Sequence, residues 1–412
     1  MKDKIVIIGG GTVSHIKSHL ALSAPAYGRT ARKIQELLND MEHEYEIETI
    51  LTRMAGGHLV ETNEDIARVT KNIINSKSTK IIFFNCALVD FNAIIANRKD
   101  DAVGKYEGRL NSRLDSYYLK LSPEEKIIGT IREKRKDIFL IGFKTTCGAD
   151  VEEQYIAGAS LLKKSSCNLV LANDTKTRVN MIITPEESVQ IATINRDKAL
   201  KELCEITLLR SKLTFTPSTI ISGKKVKWDD NKIPQNFRTV IDYCIANSAY
   251  KMNPSGFTVG HFAYKPSEFN YLMSRRKCNF NIMKNVGVVK VKLEGANILA
   301  EAYKPSAGAR SQIKVFEKNP DMNCIVHFHC PLKKDHPDNI KINSQREFEC
   351  GSWQCGTNTV DSLKQFGNIK CGMLDKHGPN IIWNVDTDPQ EIIDFIERNF
   401  DLSQKTNFIQ LT

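Results

Sequence analysis

Along the first 210 residues, short apolar runs alternate with segments whose apolar residues recur at helical spacing. Lys4-Ile5-Val6-Ile7-Ile8 is a continuous β-branched run, the pattern of a strand buried on both faces of a parallel sheet. It stops at Gly9-Gly10-Gly11-Thr12, read as a glycine-rich turn whose backbone amides can approach a phosphate. A polar connection with Ser18, His19 and Ser23 follows, and then Ile34, Leu37 and Leu38 mark the apolar stripe of a helix that begins near Ala26. A second strand over 45–51, a helix over 63–74 with Asn63 as its cap, and a third strand over 80–87 ending at Leu88-Val89-Asp90 continue the pattern. Beyond a glycine- and charge-rich crossover over 97–113 come a helix (123–136), a strand (138–146), a helix (151–164) and a strand (168–172) that ends in Asn173-Asp174-Thr175. This alternation predicts an α/β fold with a doubly wound, Rossmann-like parallel sheet, in which ligands bind beyond the carboxyl ends of the strands.

Residues 211–236 are polar and basic, with Pro217 and Pro234 as breakers, and read as a linker carrying a hairpin around Ser222-Gly223-Lys224. The expected organisation is a nucleotide-binding domain over 1–210, the linker, and a second domain over 237–412. That domain opens with a helix over 237–249 and closes with one that starts at Asp388-Pro389-Gln390-Glu391. Between them lies Cys324-Ile325-Val326-His327-Phe328-His329-Cys330-Pro331, an apolar β-branched run ending in His-x-His. In an extended strand, residues two apart share a face, so His327 and His329 present their imidazoles together. Zinc takes neutral imidazoles, and a catalytic site usually combines three protein ligands with an open position. The third ligand is assigned to His377, where an apolar segment stops at His377-Gly378 and a tight turn can swing a side chain inward.

Composition narrows the function classes. No segment approaches the 18 consecutive apolar residues of a membrane helix, and the amino-terminal stretch lacks the features of a signal peptide. Eleven cysteines, an odd number without paired spacing, read as reduced thiols of a cytoplasmic protein, and Cys350 and Cys355 have no second pair to make a finger. The net charge of +10 is spread along the chain without a basic run interleaved with aromatics, and a basic enzyme acting on phosphorylated or nucleotide ligands explains it as well as nucleic acid does.

Over 253–383 the order of motifs resembles the class II aldolase/adducin family. The resemblance implies an α/β/α domain, zinc on His327, His329 and His377, and a substrate phosphate or carboxylate held at the turns Gly260-His261, Ser274-Arg275 and Pro305-Ser306-Ala307. The family's catalytic glutamate follows the serine pair, and Gly308 stands there in this chain, so either Glu301, Glu347, Glu349 or Asp375 moves the proton, with Glu349 as the candidate, or the site performs metal-assisted chemistry other than aldol cleavage, or it only binds. Over 4–209, Gly10-Gly11-Thr12, Ala87-Leu88-Val89-Asp90, Gly142-Phe143-Lys144-Thr145-Thr146 and Ala172-Asn173-Asp174 resemble the phosphopantothenoylcysteine synthetase family. That resemblance implies CTP or ATP with magnesium bound by Gly10, Gly11, Thr12, Asp90, Lys105, Asn173 and Asp174, with Lys105 and Asn173 in catalysis. The family's intermediate-handling asparagine is absent from the matching stretch over 20–28. The expected protein is a two-domain metabolic enzyme, with a catalytically degenerate binding or scaffold protein as the alternative. Both resemblances imply a homo-oligomer.

Overall fold

The structure, a computed structural model, describes residues 2–96, 102–113, 116–253, 255–295, 297–406 and 411. The expected crossover over 97–113 therefore lies in part, over 97–101, outside the described residues. The chain divides into two compact units, residues 1–182 with 193–211, and residues 183–192 with 212–412.

The first half contains β1 (Lys4–Gly11), β2 (Val13–Lys17), β3 (Leu20–Ser23), α1 (Arg29–Asn39), β4 (Glu46–Leu51), α2 (Asn63–Asn75), β5 (Thr79–Ala87), β6 (Phe91–Ile95), β7 (Leu119–Pro123), α3 (Ile127–Lys134), β8 (Phe139–Thr146), α4 (Val151–Ser165), β9 (Leu169–Asp174), β10 (Asn180–Ile183), β11 (Val189–Thr193) and α5 (Arg196–Arg210). Seven strands form one sheet in the order β11-β10-β9-β8-β5-β1-β4. Its parallel pairs β4/β1, β1/β5, β5/β8 and β8/β9 make a doubly wound sheet whose strand order reverses between β1 and β5. That crossing is where such folds open a crevice.

Two expectations change at this point. Gly9, Gly10 and Gly11 belong to β1 itself, in register with Asn85, Cys86 and Ala87, because parallel pairing with β5 continues through them. A Cβ at Gly11 would lie 2.0 Å from the Ala24 carbonyl oxygen, so this glycine serves the close approach of the chain that returns from the β2–β3 hairpin. The cap of α2 is Thr62, which shares a capping box with Asp65. Asn63 is instead turned inward, accepting from the Thr12 hydroxyl at 2.7 Å and donating to the Val89 carbonyl at 2.8 Å.

The second half contains β12 (Ser218–Ile221), α6 (Gln235–Ala246), β13 (His261–Ser267), β14 (Asn270–Ser274), α7 (Met283–Val286), β15 (Val288–Glu294), β16 (Asn297–Glu301), α8 (Ala309–Lys318), β17 (Cys324–His327), β18 (Ile342–Asn343), α9 (Trp353–Ser362), β19 (Lys364–Phe366), β20 (Ile369–Leu374), β21 (Gly378–Trp383) and α10 (Pro389–Asn399). A sheet runs β12-β16-β15-β14-β13-β17-β21-β20-β18, with β19 beside β20. Period-2 alternation sends neighbouring residues to different cores. Phe262, Val326 and Ile381 join Phe237, Val240, Ile392 and Phe395 under α6 and α10. Ala263, Ile325 and Ile382 join Ile313, Val315 and Phe316 under α8. The result is an α/β/α sandwich.

The hairpin expected at Ser222-Gly223-Lys224 does not form, because β12 pairs in parallel with β16, far along the chain. Val226 and Trp228 are buried in the core of the second unit. All eleven cysteines are free thiols. Among the described residues no helix is long and apolar enough to cross a membrane.

Candidate functional site

The alternation that builds the sandwich also aims the histidines. Val326 faces α6 and α10, so His327, the last residue of β17, faces α8; Phe262 does the same for His261, the first residue of β13. His261 and His327 are direct antiparallel partners. Their rings stack, with centroids 4.5 Å apart and planes 26° from parallel.

His327, His329 and His377 are all buried, and their ligand atoms lie within 4.8 Å of one another. His327 Nδ1 is 2.7 Å from the Pro379 carbonyl oxygen, so that nitrogen carries the proton and donates it. The lone pair is left on His327 Nε2, which faces His377 Nε2 at 3.2 Å. Burial pushes the His327 imidazolium down to about 4, against the pull of the Pro379 carbonyl, so the ring is neutral near pH 7. A neutral ring whose remote N–H is held by a backbone carbonyl is the usual form of a metal-bound histidine. The residues present therefore fit a divalent transition metal.

Local backbone geometry brings His377 to that position. The β20–β21 turn closes through a hydrogen bond from His377 N to Leu374 O, with Lys376 at φ 55°. At Gly378, with φ 151°, a Cβ would lie 2.0 Å from the Phe328 carbonyl oxygen, so only glycine lets this turn press against the chain leading into His329. Thr406 ties the two together, donating its N–H to His329 O and its hydroxyl to His377 O.

The expected anion turns are only partly available. Gly260 packs against His327, where a Cβ would lie 2.6 Å from its carbonyl oxygen. Ser274 is fully buried and its hydroxyl accepts from Phe262 N, so it closes the strand end and is sealed from any ligand. Arg275 lays its guanidinium over the Tyr303 ring at 3.8 Å. Ser306 donates its N–H to Ser274 O and accepts from Gly308 N, at the start of α8. Of the four carboxylates considered for the missing glutamate, Glu301 pairs with Lys290 at 2.8 Å, on a strand separated from β17 by three others. Glu347 and Asp375 are exposed, whereas Glu349 is buried in the loop before α9.

The sequence reading placed His261 in a substrate-holding turn but missed its packing against His327. Burial, and after it the neighbouring His327 and His329, hold its ring far below the ordinary imidazole range. Its Nδ1 meets the Gln312 side-chain amide nitrogen at 2.6 Å. A Cβ on Gly308 would stand only 2.2 Å from His261 Nε2, so the imidazole fills the volume of a side chain at 308. Only the His in Gly260-His261 hinted at this, and the pairing of β13 with β17 supplies the rest.

In the first half, Gly10, Gly11 and Thr12 lie at the β1/β5 crossing. Val89 N donates to the Thr12 hydroxyl, which brings Asp90 close by. Asp90 is exposed and paired with Lys126. Lys105, expected on a phosphate, is instead neutralised by Glu61. Partial burial works to raise the Glu61 carboxyl, but Lys105, Arg53 and His15 together outweigh it and hold the group below the usual range. Asn173 and Asp174 end β9, two strands from β5. Asp174 commits both oxygens to its own turn, one to the amides of Lys176 and Thr177 and the other to Ala149 N and the Thr146 hydroxyl. Burial alone would raise its carboxyl, yet these donors hold it far below the usual range. It is a turn anchor, whereas Asn173 is half-buried and accepts from the Thr145 hydroxyl at 3.4 Å.

Comparison with known proteins agrees with this two-part anatomy. Residues 240–333 match the family described as Class II Aldolase and Adducin N-terminal domain. The N-terminal half is similar to the coenzyme A biosynthesis bifunctional protein CoaBC of Methanocaldococcus jannaschii, 26% identical over 176 residues, which are 42% of this chain and 40% of that protein. The chain thus covers less than half the length of that relative. Among solved structures, the DNA/pantothenate metabolism flavoprotein from Streptococcus pneumoniae aligns with a TM-score of 0.41 at 20% identity, covering 50% of this chain and 96% of its own. An L-fuculose 1-phosphate aldolase aligns with a TM-score of 0.30 at 13% identity, covering 41% of this chain and 85% of its own. The chain therefore joins an N-terminal half similar to the CoaBC, phosphopantothenoylcysteine synthetase-type proteins to a C-terminal half in which residues 240–333 match the class II aldolase and adducin N-terminal domain.

Proposed function

We propose that the second half is a metal-dependent enzyme of class II aldolase type acting on a small molecule with a phosphate or carboxylate, using zinc or another divalent transition metal on His327, His329 and His377. The observation that carries this reading is the convergence of three buried imidazoles within 4.8 Å. A bound cation would act as a Lewis acid on a carbonyl or hydroxyl oxygen of the substrate. His327 presents a lone pair oriented by Pro379, and Gly378 holds His377 against the chain of His329. With no titratable group at Gly308, we assign proton transfer to Glu349, the buried carboxylate among the four considered. Gly260, Ser306 and Arg275 are assigned to the anionic end of the substrate, with Ser274 behind them as support.

For the first half we propose nucleotide binding, CTP or ATP with magnesium, at the β1/β5 crossing by Gly10, Gly11, Thr12 and Asp90, with Asn173 at the rim. Because the similar proteins are named for coenzyme A biosynthesis, we propose activation of a carboxylate there, with Lys105 released from Glu61 when phosphate arrives. The setting is a cytoplasmic homo-oligomer without nucleic-acid partners. A binding protein that has lost catalysis is the second reading, favoured by the Lys105–Glu61 pair and by glycine at 308.

Elemental analysis of the full chain tests the first proposal: about one transition metal per chain is expected, and its loss in the His327→Ala, His329→Ala variant. Equal metal content in the two proteins refutes the ligand assignment. Thermal stabilisation by CTP or ATP with magnesium is expected of the nucleotide site, since a ligand that binds only the folded state raises the melting temperature. Binding of nucleotide without turnover would select the second reading.

A further inference from the structure

We propose that the second half carries a further ligand site, a cavity at the end of its sheet remote from the histidines, which binds a small primary ammonium ion on an apolar stem. The inference is independent of the metal-centre reading, because none of the residues it uses belongs to that site.

The cavity, of about 540 Å³, opens where the β13–β14 hairpin meets the end of α8. Strand β13 begins at His261 and ends at Ser267, and β17 begins at Cys324 and ends at His327. The hairpin turn therefore lies roughly 20 Å from the histidines, at about 3.3 Å per residue. The walls of the cavity are aromatic and acidic. Tyr271 and Phe316 stack beneath it, with ring centroids 5.9 Å apart. Phe269, exposed in the hairpin turn at φ 63°, adds a third ring at the mouth. Glu268, Glu317 and Asp321 set three carboxylates against the single ammonium of Lys265. Glu317 and Asp321 are each shared with a lysine outside the cavity, Lys314 at 3.9 Å and Lys370 at 3.5 Å. Among the described residues no cation pairs with Glu268.

The Tyr271 hydroxyl identifies the class of ligand. Tyr271 is 3% exposed, yet among the described residues no protein group is hydrogen-bonded to its hydroxyl. Its ring is packed into the core under α8, so the hydroxyl is the part that reaches the cavity. Burial, and after it Glu317 and Glu268, push the phenol up to about 12, so it stays protonated. Both charges that act on it are thus carboxylates of the cavity wall. A phenol oxygen accepts hydrogen bonds as well as donating one, and an ammonium offers three donors and no acceptor. One ammonium can therefore partner the hydroxyl and offset the two carboxylates together, whereas a carboxylate ligand would be set against them. Lys265 leaves that place open, because its ammonium lies over the Phe316 ring, 5.7 Å from the centroid. An apolar stem on the ligand would rest on Phe269 and Leu293.

The test is an NMR titration of the full chain, with carbon-13 in its tyrosine rings, and n-butylammonium as the probe. Chelator is present throughout, which keeps the amine from any metal at the histidines, so failure here leaves the metal-centre reading untouched. The Tyr271 signal, assigned by its absence from Tyr271→Phe, is expected to shift saturably with a dissociation constant below about 5 mM. n-Butanol, of the same shape without the charge, should bind at least about tenfold more weakly, and n-butyrate more weakly than the ammonium. Glu268→Gln with Glu317→Gln should weaken the ammonium about tenfold, and Tyr271→Phe about threefold. The proposal is overturned by a Tyr271 signal that does not shift, by butanol or butyrate binding as tightly as the ammonium, or by full affinity in the double glutamine variant. Should Tyr271→Phe fail to fold, the glutamine variant, changed only at exposed positions, decides the question.

Discussion

Gly308→Ala is the sharpest test of how the second half is packed. The added methyl would lie 2.2 Å from His261 Nε2, and the imidazole is buried, stacked on His327 and bonded to Gln312. Overpacking a tight interior costs about 1–3 kcal/mol. Breaking the Gln312 bond as the ring moves adds about 1 kcal/mol, so a loss of about 2–4 kcal/mol is expected. His261→Ala alone should also destabilise, because it opens a cavity and strands the buried Gln312 amide. In the double variant the methyl enters the volume the imidazole has left, so the two losses should not add, and a coupling of about 2 kcal/mol in the stabilising direction is expected. The assay is urea unfolding of the full chain with chelator present, which removes any contribution from bound metal. Two units make a single transition an unsafe assumption, so the signal should come from Trp228, Trp353 and Trp383, the tryptophans of the chain, all in the second unit. Additivity within about 0.5 kcal/mol would refute the claim that residue 308 and His261 compete for one space.

Further predictions concern acid, backbone crowding and the first crossing. His327 is held at about 4 in the fold against 6.5 in the unfolded chain, so its contribution is complete above pH 6.5 and is lost as pH falls toward 4; the loss is about 3 kcal/mol by linkage, and buried His261 adds to it in the same direction. Urea midpoints of metal-free protein measured from pH 7.5 to 4.5 should fall accordingly in the second unit, and a flat profile would contradict the burial argument. Gly57→Ala places a Cβ 1.8 Å from the Leu51 carbonyl oxygen, a backbone clash expected to cost about 3 kcal/mol or more, whereas Gly108→Ala meets nothing within 4 Å and should change the melting curve little. Thr12→Val removes the hydroxyl that donates to Asn63 and accepts from Val89 N, and should cost about 1–3 kcal/mol in thermal unfolding through the groups left unpaired.

Much of the fold was legible because buried parallel strands are spelled as unbroken apolar runs. Ile5 to Ile8, Ile81 to Phe84 and Leu169 to Ala172 show this, and each is a strand of the first sheet. What depends on distant partners was not legible. The β6–β7 hairpin pairs Phe91 with Pro123, and β12 finds β16, so neither is encoded within a local window. The stretch after Thr12 reads as a polar connection because of Ser18, His19 and Ser23, yet Val13–Lys17 pairs with Leu20–Ser23. Thr62 was passed over as a cap because Asn63 stands beside it; Asp65, three residues after Thr62, is the mark of the capping box.

The candidate site divides along the same line. His327 and His329 were readable from spacing alone, because two residues of an extended chain need no fold to share a side. His377 needed the His-Gly turn, a local conformation that glycine announces. His261 needed a register between strands more than fifty residues apart, and Gln312 and Gly308 needed the helix that covers them. A shift of β13 against β17 by one residue would turn His261 toward α6 and α10 and place Phe262 against the metal ligands. The aromatic contacts of Phe262 with Trp228, Phe237, Tyr250 and Phe280 resist that shift. The apolar core on one face of the sheet is thus what fixes the polar chemistry on the other: removing the Phe262 ring should loosen the position of His261 although the two side chains point in opposite directions.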